Sequence, residues 1–150
     1  MKEGSKAQFQ FKNFFIKRSL IEQGDGEPST EFSIGFDPKA YIDTKQSNFQ
    51  LHLGLKINDK NHVINIEVYS VANYQFDHQI SKDRLNQYFY TNAPAILFPY
   101  IRAYISTLTN LSGHKPINLP TLNLTSLKED LEKNTTEVGA EEDNSNAQNE

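Results

Sequence analysis

Between Ala93 and Leu124 the chain carries a helix-length run with apolar side chains on two adjoining faces, followed by a proline-punctuated apolar linker. Asn92 can cap the start, Pro94 suits the first turn, and Gly113 followed by Pro116 supplies a stop. Leu97, Ile101, Tyr104, Leu108 and Leu111 step by threes and fours and so share one stripe. Ile96, Tyr100, Ala103 and Thr107 form a second stripe beside it, and Ile105 widens the apolar surface past the roughly 100° arc that covering one sheet requires. Such a helix needs cover from two sides, and in a chain of 150 residues the second cover can come from another subunit. Pro99 removes the hydrogen bond to the carbonyl of Ala95, which predicts a kink near the start of the rod.

The remainder reads as a sheet for that helix. Phe9 and Phe11 alternate, as do Phe14 and Ile16, but the phase slips by one near Lys12-Asn13, as a bulge would make it. Residues 23–29 are a loop, and 30–46, broken by Gly35, Asp37 and Pro38, read as an extended crossover with little regular structure. Phe49, Leu51, Leu53, Leu55 and Ile57 keep strict period two, turn at Asn58 to Asn61, and meet Ile64, Ile66 and Val68 in a hairpin that buries one face and wets the other. Val71 to Phe76 can extend it. Ser81 opens a capped helical turn toward Tyr90, which Pro94 interrupts. Thr125 can cap a last short helix through about Lys133, held by Leu127 and Leu131. The fold class is therefore α+β: a four-stranded antiparallel sheet with one polar face, one long kinked helix across it and a short C-terminal helix. Residues 1–8 form a flexible N-terminus, 9–133 the single domain, and 134–150 an acidic tail whose composition predicts disorder.

Charge and composition exclude several functions. Residues 1–127 hold 13 basic and 11 acidic side chains, whereas 128–150 hold 2 and 8, so the acidity sits in the tail. The basic groups make no cluster interleaved with aromatics, which argues against a nucleic-acid partner. There is no cysteine, and His52, His62, His78 and His114 are scattered, so neither a disulfide framework nor a structural zinc site is expected. No apolar run approaches the length of a signal peptide core or a membrane span, which makes the cytoplasm the default location. Asp77 and His78 are neighbours on extended chain, where side chains point to opposite faces, and they read as two solvated groups. No nucleophile with a base beside it, no phosphate-cradling glycine loop and no cofactor motif is found, and an enzyme is not expected. Ten Phe and seven Tyr stand in their place. More aromatics are present than one sheet and one helix can bury, so some should line a groove or an interface, a surface suited to extended, unfolded peptide.

The run Ala93-Pro94-Ala95-Ile96-Leu97-Phe98-Pro99-Tyr100-Ile101-Arg102, followed by Pro116-Ile117-Asn118-Leu119-Pro120-Thr121-Leu122-Asn123-Leu124, resembles the signature region of the bacterial protein-export chaperone family SecB. Phe9 through Glu22, Phe36-Asp37-Pro38 and Ile64 to Val68 resemble the family's first strand, crossover and third strand. The resemblance implies a homotetramer, a dimer of dimers with the helices between two sheets. It also implies a holdase that needs no ATP, binds unfolded precursor proteins and hands them to the translocase motor SecA. Position by position, it places client contacts at Ala40 and Ile42, at Phe98 and Tyr100, and at the linker residues Leu119 and Leu122. It places SecA-docking carboxylates at Glu22 and Glu67, each of which also reads as an ordinary solvated strand residue, and it likens the acidic tail to a SecA-contacting terminus. Three departures stand out. Arg18 occupies a position where the docking face tends to carry an acid, Lys128 and Glu129 replace apolar residues of the last helix, and the loop near Thr44 to Asn48 is short. These departures leave room for a chaperone or adaptor devoted to one partner, such as an antitoxin, in place of general export.

Overall fold

The computed structural model describes residues 1–138. Its elements run β1 (Phe9–Gln23), β2 (Phe32–Asp43), β3 (Asn48–Asp59), β4 (Ile64–Phe76), α1 (Lys82–Gln87), α2 (Ala93–Leu111), α3 (Lys128–Lys133) and β5 (Thr135–Val138). The sheet has five strands in the order β1-β4-β3-β2-β5, one more than the sequence pattern predicts. β1 to β4 pair antiparallel and β5 lies parallel to β2.

Two segments differ from expectation. Residues 32–43 form a regular strand in unbroken register with β3, from Phe32 opposite Asp59 to Asp43 opposite Asn48. Pro38 is tolerated because its carbonyl turns outward to accept from the Asn134 side-chain amide, so its missing N–H also falls on the side away from β3. The other new strand, β5, comprises residues 135–138, which composition assigns to the tail. The Ala40 N–H donates to the Asn134 carbonyl, and β5 then covers the open edge of β2 up to Asp43. The rest of the predicted acidic tail, 139–150, lies outside the described residues.

β1 slips register at Lys12, where the phase change predicts a bulge, and again at Lys17. The slips return Phe9, Phe11, Phe14, Ile16 and Ile21 to one face. There they join Leu51, Leu53, Leu55, Ile57, Ile66 and Val68 in the core.

The helical region is continuous from Lys82 to Leu111, and the predicted break at Pro94 does not occur. A π-turn at Tyr88–Asn92 fills the gap, with the Ala93 N–H donating to the Tyr88 carbonyl just before the residue that has no N–H to give. Asn92 is helical and caps nothing. Stacking of Phe89 on Phe49, with centroids 4.4 Å apart, and of Phe9 on Tyr74 and Tyr88 fixes this start to one end of the sheet. The buried face of α2 is centred on Leu97, Phe98, Ile101, Ile105 and Thr109, while Leu111, assigned to the buried stripe, is 80% exposed. The stripe is rotated because the linker lies on the other flank. Thr109 Oγ1 accepts from the Ile117 N–H, and Ser106 Oγ donates to Asn118 Oδ1. At the end of the linker Asn123, and not Thr125, caps the short 3-10 turn that leads into α3.

Candidate functional site

Two surfaces of this fold remain open. The first surrounds α2. On the β1 flank Tyr100 packs on Phe11 and Phe14, with centroids 5.3 and 5.2 Å away, and Tyr104 Oη donates to Ser19 Oγ at 2.8 Å. On the opposite flank Arg102 Nη1 donates to Thr121 Oγ1 of the linker. Of the second stripe, Tyr100, Ala103 and Thr107 stay exposed beyond these contacts, Tyr100 at 47%, while Ile96 is partly buried against the core. Where α2 gives way to the linker, a cleft of about 530 Å³ opens against the β1–β2 loop, its apolar patches at Phe32, Ile64 and Ile117 set among polar groups that include Gln23, His114 and Lys115. Phe32 is 37% exposed at its mouth, a large apolar side chain that the fold leaves in water.

The second surface is the polar face of the sheet. At its centre the Tyr69 ring lies over Gly54, so close that a Cβ there would stand 2.9 Å from the ring. The Arg18 guanidinium sits 5.8 Å above the same ring. Around them is a recess of about 440 Å³ that includes Lys17, Arg18, Asp37, Lys39 and His52. Burial first, and then the charges of Lys39 and Lys17, hold the His52 imidazole below its ordinary pKa, so the ring is neutral. Its Nε2 is 2.7 Å from Gln50 Oε1, and its ring meets Tyr41 edge-on.

The residues to which the resemblance assigns client contact fall in different environments. Ala40 and Ile42 are 0% and 6% exposed on the core face of β2, and Phe98 and Leu119 are also buried, Phe98 edge-on to Phe36. Leu122 is half-buried, and Tyr100 alone is broadly open. None of the six lines the cleft. Its apolar patches were signalled in the sequence by Phe32 at the head of an alternating run and by Pro116-Ile117. Both positions that the resemblance assigns to SecA docking lie on the polar face: Glu22 opposite Asn65 and exposed, Glu67 between Arg18 at 3.7 Å and Lys56 at 3.8 Å. His78 does not engage Asp77; its Nδ1 is 2.7 Å from Ser47 Oγ. Among the described residues no group of three or more His, Cys, Asp or Glu could hold a metal ion, and no helix is long and apolar enough to cross a membrane.

The family model for the preprotein translocase subunit SecB matches residues 5–134. The chain belongs to the SecB family. Members of this family are chaperones. The protein-export protein SecB of Dinoroseobacter shibae is 23% identical over 121 residues, 78% of this chain and 68% of that protein. The uncharacterized protein MJ0357 of Methanocaldococcus jannaschii is 26% identical over 140 residues, 89% of this chain and 90% of that one. Among solved structures, a SecB-like chaperone of Mycobacterium tuberculosis, in complex with a ChAD peptide from the HigA1 antitoxin, shares the fold. Its TM-score is 0.65 at 20% identity, covering 77% of this chain and 88% of that one.

Proposed function

We propose that this SecB-family protein is an ATP-independent holdase that keeps unfolded segments of other proteins from aggregating in the cytoplasm and passes export clients to SecA. The observation that carries the reading is the cleft between the linker and the β1–β2 loop, where Phe32 and Ile117 present apolar patches beside non-helical backbone. Apolar burial contributes about 25 cal/mol per Å² without directionality, which suits clients of differing sequence. Tyr100 and Leu122 extend the apolar surface along α2 and the linker, while Ala40, Ile42, Phe98 and Leu119 support it from beneath. The stripe through Tyr100, Ala103 and Thr107 supports a tetramer in which helices of two dimers face one another. Glu22 is the better candidate for SecA, because Arg18 and Lys56 already partner Glu67.

A second reading, a chaperone devoted to a single partner, is favoured by those same two cations on the docking face and by the antitoxin peptide held by the M. tuberculosis relative. Binding to one model protein, compared in its native and urea-unfolded forms without nucleotide, tests the holdase reading. Preference for the unfolded form supports it, and equal affinity for both forms sinks it. SecA titration then separates the two readings, since Glu22→Lys should weaken a general export complex and change nothing in a dedicated one.

A further inference from the structure

The polar face of the sheet carries large side chains that a face built only for water does not need. Phe15, opposite Val71, is 51% exposed there, and Tyr69, opposite Arg18, is 37% exposed. Arg18 lies over the Tyr69 ring and that ring over Gly54, so the middle of the face is a recess with an aromatic wall. Three cations line it, Lys17, Arg18 and Lys39, against one carboxylate, Asp37. Arg18 shares Glu67 with Lys56, but among the described residues Lys17 and Lys39 have no ion-pair partner. Both stand beside His52, Lys39 on the adjoining strand and Lys17 on β1, and after burial it is their charges that hold the imidazole neutral. Like charges gathered without a counter-ion repel one another, a cost that a bound carboxylate removes.

We propose that this recess docks an acidic segment of a second protein, with its carboxylates on Lys39 at one side and on Lys17 and Arg18 at the other. The strand order β1-β4-β3-β2 puts the two groups of cations three strand spacings apart, about 14 Å. Extended chain covers that distance in about four residues, so the segment carries an acidic residue at each end of such a stretch. The residue midway between them lies over Gly54 and against the Tyr69 ring, where an apolar side chain finds room. Phe15, Arg18 and Tyr69 are the residue types that dominate the centres of protein interfaces. Asp37 and Glu67 interrupt the cations, which leaves no continuous basic track for a phosphate backbone and favours a peptide over nucleic acid. Glu22 at one end of the face and Asp43 at the other repel such a segment and confine it to the centre. Because α2 and the linker lie on the opposite face, the acidic partner and an unfolded client can be held together, and the inference does not rest on the holdase reading.

The probes are a short peptide with Glu, Phe and Glu at alternate positions and the same peptide with Gln or Lys in place of Glu. Added to the full-length protein at low salt, the Glu peptide should shift the amide signals of Arg18, Lys39, His52 and Tyr69 and leave those of α2 in place. Its affinity should fall about tenfold when salt is raised from about 0.05 to about 0.5 M. Lys17→Glu combined with Lys39→Glu should weaken it about tenfold at low salt, and Lys39→Gln alone, which adds no new charge, by a smaller factor. Both lysines are exposed, so an unchanged circular dichroism spectrum should accompany the loss. A Gln peptide that binds as well, a Lys peptide that takes the same site, or a Glu peptide that binds both variants like the wild type would overturn the proposal. So would recess signals that shift with protein concentration alone, as a second copy on this face would make them, or an oligonucleotide that outcompetes the Glu peptide there.

Discussion

The hydroxyl of Tyr74, near the end of β4, donates to the carbonyl of Ala93 at 2.6 Å, joining the sheet to the first residue of α2. Both residues are fully buried, and burial raises the Tyr74 phenol well above its ordinary pKa, so it stays protonated and donating. The bond sits where the π-turn and Pro94 disturb the helical ladder, and it sets where the long helix begins relative to the aromatic cluster. Tyr74→Phe keeps the ring contacts with Phe9, Phe11 and Phe49 and removes only the hydroxyl. Its urea unfolding should show a loss of about 1 kcal/mol with an unchanged slope.

Thr109→Val is a sharper test of the linker. The threonine hydroxyl donates back into its own helix and accepts from the Ile117 N–H at 3.0 Å. Valine fills the same space and leaves that buried amide without a partner, a loss of about 1 to 3 kcal/mol. Hydrogen exchange of linker amides near Ile117 should accelerate far more than exchange in β3.

The hairpin of β3 and β4 was legible in the sequence because Phe49 to Ile57 alternate without exception and the turn is polar. The first bulge of β1 was legible as a change of phase. β2 was hidden by Pro38 and Gly35, which read as breakers until Asn134 is seen to take the outward-facing carbonyl of Pro38. β5 contains the β-branched Thr135, Thr136 and Val138, a genuine strand signal outweighed by the surrounding acidic composition. For the site, periodicity finds the two-faced helix but not which flank the linker takes. That depends on the buried hydroxyl of Thr109, which a hydropathy pattern scores as merely neutral. The cleft was missed because its walls come from Phe32 and Ile117, 85 residues apart, and no local spacing relates them.

Acid should destabilise the protein through Asp59. Burial opposes ionisation of this carboxyl, but the backbone N–H groups of Ile64, Ser29, Val63 and Asn61 outweigh it and hold the pKa below the ordinary 3.8. A folded-state pKa below the unfolded one contributes stability above pH 3.8 that is lost as pH falls through the folded value. Asp59→Asn should be less stable than wild type near neutrality, and its urea midpoint should fall less steeply on acidification. Parallel curves for the two proteins would remove Asp59 from the account.

Ala103→Arg places a charge on the outward stripe of α2 and touches nothing buried. Sedimentation should then show species smaller than four chains of 17.2 kDa, with an unchanged circular dichroism spectrum. Retention of the wild-type mass would place the subunit interface elsewhere.

Suppression of light scattering as a chemically denatured protein is diluted into buffer without nucleotide, with this protein titrated in, tests the holdase account most directly. The account predicts suppression that saturates near one tetramer per client chain and weakens severalfold when Phe32→Ser removes the apolar mouth of the cleft. Undiminished aggregation in the presence of the folded protein would contradict it, and would leave a SecB scaffold without a general client groove.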